Sequence, residues 1–97
     1  MSNFEVINNV AKKRYEINTD GKVAYLEYMP AGQNLVITHT EVPVELEGQG
    51  IGSRLVKHVF ETLKNENKKA IITCPFAIGY LQRHPEYLEL VFGYPSK

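Results

Sequence analysis

Up to Val42 the apolar positions of the chain recur at roughly every second residue, the period of a strand whose two sides meet different surroundings. Phe4 to Val10 carries Val6, Ile7 and Val10 among polar residues, the least regular of these stretches. Lys13 to Asn18 alternates Arg14 and Glu16 with Tyr15 and Ile17, and Val23 to Met29 is rich in β-formers. Between them Thr19-Asp20-Gly21-Lys22 holds an Asp-Gly pair, the strongest short hairpin signal. Pro30 to Asn34 reads as a second turn. Leu35 to Val42 predicts a further strand, with Leu35, Ile37, His39 and Glu41 on one face and Val36, Thr38, Thr40 and Val42 on the other. Pro43 has no N–H to donate and ends the pairing there. The first part is an antiparallel meander.

Beyond Gly50 the period lengthens. Ile51, Leu55, Val56, Val59, Phe60 and Leu63 follow helical spacing, while Arg54, Lys57, His58, Glu61 and Lys64 take the other face. This predicts a helix over about 50–67, closed by cations at its negative end. Ala70 to Cys74 is a short, nearly continuous apolar run, as in a strand covered on both faces. Strand, helix, strand implies a right-handed crossover, so 35–42 and 70–74 should run parallel as neighbours. Pro75 suits the first position of a short helix over Phe76 to Arg83, His84-Pro85 ends it, and Glu86 to Phe92 forms one more short element. The fold class expected is α+β: a mixed sheet whose antiparallel meander passes into one parallel pair with a crossover helix.

Composition narrows the function classes. The chain has 97 residues, room for a single domain, and equal numbers of acidic and basic side chains, 11 each. A net charge of zero gives no bulk field for nucleic acid or an anionic membrane surface. One cysteine excludes an internal disulfide, and a lone thiol suits a reducing, cytoplasmic setting. His39, His58 and His84 lack the close pairing of a zinc helix motif, so no metal is expected. Met1 to Glu5 shows no secretion signal, and no apolar run reaches the ~20 residues of a membrane span. Function must therefore reside in a local site.

The stretch Glu47-Gly48-Gln49-Gly50-Ile51-Gly52-Ser53 lies between a strand and an amphipathic helix. Glycines there let backbone N–H groups approach a ligand, and the helix start adds unpaired donors and the positive end of the dipole, a combination suited to phosphate or pyrophosphate. Tight helix–sheet packing asks for glycines in the same place. No Lys follows as in a Walker loop. The Gly-x-Gly-x-Gly spacing, with Ser53 in place of a last glycine, is not a dinucleotide fingerprint, and 43–48 separate strand from loop.

The run from Val42 to Val56 resembles the acetyl-CoA motif of the GNAT acetyltransferase superfamily, Gln/Arg-x-x-Gly-x-Gly/Ala at the start of a helix after the fourth strand. Glu47, Gly50 and Gly52 map onto it, and Val42 onto the Val of the strand end. Cys74-Pro75-Phe76 and Arg83-His84-Pro85-Glu86-Tyr87 resemble a minimal subgroup of that superfamily. The resemblance implies acetyl-CoA as cofactor, held by Val42, Glu47, Gly48, Gln49, Gly50, Ile51, Gly52, Ser53 and Arg54. Glu47 departs from the motif, and a carboxylate beside a pyrophosphate is repulsive unless it points to solvent or to Arg54. In such a domain two parallel strands splay apart, and the resemblance places His39 and Cys74 near the gap as the catalytic pair. The imidazole would deprotonate an amine acceptor or activate the thiol, and the thiol would carry the acetyl group transiently. Both also have simple packing roles: a histidine with a core hydrogen bond, a cysteine closing an apolar strand. The expected function is transfer of an acetyl group from acetyl-CoA to an amine. The rivals are a non-catalytic CoA or acetyl-CoA binding module and a structural domain without cofactor.

Overall fold

A computed structural model describes residues 4–93. Its sheet contains β1 (Ile7–Asn9), β2 (Arg14–Thr19), β3 (Lys22–Ala31), β4 (Asn34–Glu41) and β5 (Lys69–Ile72). The strands lie side by side in chain order, antiparallel from β1 to β4 and parallel between β4 and β5. Helix α1 (Ile51–Glu66) makes the crossover, α2 (Pro75–Arg83) follows β5, and short 3-10 turns cover Val44–Leu46 and Pro85–Leu90. The α+β mixed sheet read from the sequence is the one observed.

Boundaries differ where local pattern carries little information. The irregular first stretch contributes only three paired residues, and β3 and β4 run into the Pro30 turn because only Gly32 and Gln33 are needed to reverse the chain. Gly32 takes a left-handed φ of 63° there. Gly50 and Asn67 cap α1 rather than belonging to it, both in the left-handed region. Strand β5 ends at Ile72, short of Cys74, because the chain turns away to begin α2 with Pro75 at its first position.

The apolar stripe of α1 faces the sheet. Ile51, Leu55, Val56, Val59 and Phe60 are fully or almost fully buried against Ile17, Ala24, Leu26 and Ile37. Burial of this surface is the main stabilising term. Phe60 also stacks on Tyr87 and Tyr80, with ring centres 5.4 and 6.5 Å away, and so ties α1 to α2 and the last 3-10 turn. The opposite face of the sheet is charged in the row of Arg14, Glu27 and His39, where Arg14 pairs with Glu16 and lies 4.3 Å over the ring of Tyr25, and apolar farther along at Met29 and Val36.

One irregularity decides the geometry at the end of β4. His39 pairs with Glu27 and Ile37 with Tyr28, so Thr38 is an extra residue, a β-bulge. Beyond it the faces exchange. Thr40 lies opposite the buried Leu26, on the helix side, while His39 lies opposite Glu27 on the polar side. This corrects the expected sharing of a face by Ile37 and His39.

Candidate active site

The loop that opens α1 turns on two left-handed glycines. Gly48 and Gly50 have φ of 86° and 75°, values that cost an L-residue about 1–2 kcal/mol. Gly50 is the N-cap and offers no side chain to the helix. The first intrahelical bond is donated by Arg54 to the Gly50 carbonyl at 3.0 Å, so the N–H groups of Ile51, Gly52 and Ser53 have no acceptor within the helix. Gly52 differs from its neighbours: its φ is not left-handed. A Cβ there would lie 2.7 Å from Cζ of Phe76, whereas a Cβ on Gly48 or Gly50 would meet nothing within 4 Å.

Ile51, Gly52 and Ser53 line a cleft of about 450 Å³. One wall is Glu47, Gly48, Gly50, Ile51, Gly52 and Ser53; the other is Thr40, Glu41 and Val42; Leu46 and Phe76 complete it. The cleft exists because β4 and β5 separate. Their pairing stops at Ile37 and Ile72, and the Thr73 N–H makes a last bond to the Ile37 carbonyl at 3.0 Å. Past that point the edge of β4 has no β5 partner. An opening helix terminus and an unpaired strand edge, facing each other, can hold an anion and an extended amide-bearing chain.

Two of the expected cofactor residues lie apart. Gln49 does not line the cleft, although it belongs to the same loop. Arg54 lines a separate hollow of about 610 Å³ with Lys57 and His58, and its Nε donates to the Phe4 carbonyl at 3.2 Å. Glu47 sits on the cleft rim with an exposed side chain.

His39 and Cys74 are not brought together. The thiol of Cys74 is buried, 2% exposed, and its partner is the Thr40 hydroxyl at 3.4 Å. The His39 side chain is 51% exposed on the far side of β4, where Nε2 lies 3.0 Å from Oε1 of Glu41 and the ring packs against Tyr25. The bulge at Thr38 is the physical reason: it turns Thr40 toward the thiol and His39 away. Tyr80, a possible proton donor by type, instead stacks among Phe60, Tyr87 and His84. Burial raises the pKa of its hydroxyl. Thr40, Glu41 and Phe76 line the cleft without having been singled out in the sequence. Each follows or precedes a candidate by one or two residues, but only the bulge and the turn into α2 reveal which way it points.

Comparison with known proteins shows the family and the fold. The profile of the GCN5-related N-acetyltransferase family matches residues 14–90. Protein NATD1 of Gallus gallus is 36% identical over 91 residues, 89% of this chain and 83% of the relative. Protein NATD1 of Xenopus tropicalis is 30% identical over 93 residues, 91% and 85% respectively. The NMR structure of a GCN5-like candidate N-acetyltransferase from Staphylococcus aureus superposes with a TM-score of 0.74 at 32% identity, covering 98% of this chain and 94% of that one.

Proposed function

The chain belongs to the GCN5-related N-acetyltransferase family, and from that premise we propose that it binds acetyl-CoA in the cleft between β4 and α1 and passes the acetyl group to an amine. The observation that carries this reading is the uncapped first turn of α1, with Gly50 left-handed at its head, facing the unpaired end of β4. The N–H groups of Ile51, Gly52 and Ser53 hold the diphosphate, aided by the positive end of the helix dipole. The β4 edge from Thr38 to Glu41 offers backbone groups to the amides of the pantetheine arm, and an N–H near Val42, just past the strand, polarises the thioester carbonyl. The exposed side chain of Glu47 at the rim turns its charge to water.

His39 serves as the base for the acceptor, oriented by Glu41. In the transfer a nitrogen–carbon bond forms and the carbon–sulfur bond breaks. His39 takes the proton of the amine, and the departing thiolate takes one from water. The acceptor reaches the thioester from the polar, open side of the sheet, where the imidazole is exposed. Relay of the acetyl group through Cys74 needs a base at a thiol that is 2% exposed and faces a hydroxyl. Direct transfer fits that placement better.

Titrating acetyl-CoA while recording amide NMR shifts tests binding: Val42, Gly48, Gly50, Gly52 and Ser53 should move first. If these amides stay in place at millimolar ligand, the reading fails. An amine panel assayed for released thiol then tests transfer. Binding without thiol release for any amine would make the protein a carrier-binding module instead.

A further inference from the structure

Gly52 and Phe76 are separated by β5 and most of α1, yet they meet at one wall of the cleft. Gly52 lies within α1 with ordinary helical backbone, so no dihedral angle demands a glycine there. What a side chain would meet is the Phe76 ring, which would have to shift: Cζ, Cε2 and Cε1 lie 2.7, 3.1 and 3.4 Å from where a Cβ would stand. The ring is held there from its own side too. Thr73 is bonded to Ile37, Cys74 is buried and Pro75 starts α2, which delivers the next side chain into the gap between β4 and β5. Phe76 is nevertheless 40% exposed, and it lines the cleft together with Thr40 and Val42. A half-exposed aromatic ring seated on a bare helix turn is an apolar surface awaiting a chain to cover it.

We propose that Gly52 and Phe76 act as one unit that determines binding: Gly52 provides the seat for the ring, and the ring is the wall against which the pantetheine arm is held. The inference rests on the acetyl-CoA reading and deepens it by assigning the contact for the arm between the diphosphate and the thioester. A Cβ at position 52 must push the ring into the cleft and narrow it. Removing the ring leaves the arm without its wall.

The test is a double-mutant cycle on affinity for coenzyme A, measured by calorimetry with wild type, Gly52→Ala, Phe76→Ala and the combination. Each single change should weaken binding about tenfold. The combination should bind no more weakly than Phe76→Ala alone, because without the ring the new methyl has nothing to displace. Phe76→Leu in the Gly52→Ala background, which keeps an apolar wall but leaves the methyl room, should bind more tightly than Gly52→Ala, and no gain there would overturn the unit. Additive losses, about a hundredfold in the combination, would overturn the unit, as would wild-type binding by either single variant. A wild-type protein that fails to bind coenzyme A would overturn the acetyl-CoA reading together with it. Binding by wild type with additive losses removes only the unit.

Discussion

The Thr40 hydroxyl stands 3.4 Å from the thiol of Cys74, while His39, its neighbour in the chain, faces the opposite side of β4. This separates two roles that a catalytic dyad would fuse. If His39 is the base for the amine, His39→Ala should slow acetyl transfer by about 10²–10⁴-fold at neutral pH. Cys74→Ser, which keeps a small polar group beside Thr40, should stay within about tenfold of wild type. Thiol-release kinetics with the best amine of a panel reads both. Equal losses in the two variants, with acetylated Cys74 in the mass spectrum, would restore the dyad.

The alternation of Tyr15 and Ile17, the helical spacing from Ile51 to Leu63 and the glycine loop were legible because each is a local pattern that a single element must satisfy. The orientation of His39 was not. A bulge is a property of two strands, one with two residues where its partner has one, and nothing in Thr38-His39-Thr40 marks it. The Thr40–Cys74 contact spans 34 positions and depends on how far β4 and β5 diverge. Gly52 was legible as a glycine with a purpose, but its purpose lay in Phe76, which only the turn after β5 brings near.

Gly50 should be the most sensitive position of the loop. At φ 75° an alanine is strained by about 1–2 kcal/mol, and relief of that strain rotates the first N–H groups of α1. Gly50→Ala should lower the urea midpoint and weaken acetyl-CoA binding at least tenfold. Gly21→Ala, also left-handed at φ 71° but in the distant β2–β3 turn, should cost similar stability and leave affinity unchanged. Equal effects of the two on affinity would show that binding follows stability rather than loop geometry.

Phe60 joins the sheet-packing helix to the segment that carries Phe76. It is fully buried and stacks on both Tyr80 and Tyr87. Phe60→Ala should cost about 3–5 kcal/mol, a large part of the 5–15 kcal/mol typical of a domain. Denaturant unfolding measures it. A loss under about 1 kcal/mol would mean that the aromatic cluster repacks around the vacancy.

Acid should destabilise the fold in two stages. Burial, with the nearby Arg54 charge adding to it, holds the His58 imidazole below its ordinary 6.5. The hydrogen bond from Arg14 holds the Glu16 carboxyl below its ordinary 4.5; burial opposes this, and the Asn9 amide adds to it. In both cases the unfolded chain binds protons that the folded chain resists, so stability falls as pH falls. The His58 contribution is complete above its unfolded value and begins to be lost near 6.5. The Glu16 contribution is lost from near 4.5 downward, as pH passes through the folded value. Urea midpoints from about pH 8 to about pH 3 should therefore fall in two steps. His58→Gln should flatten the upper step. Glu16→Gln should lower the neutral plateau and flatten the lower step, because it removes the carboxylate that Arg14 and Asn9 hold. A wild-type midpoint that stays constant down to about pH 5 would remove the assigned role of His58, and an unchanged acid limb in Glu16→Gln that of Glu16.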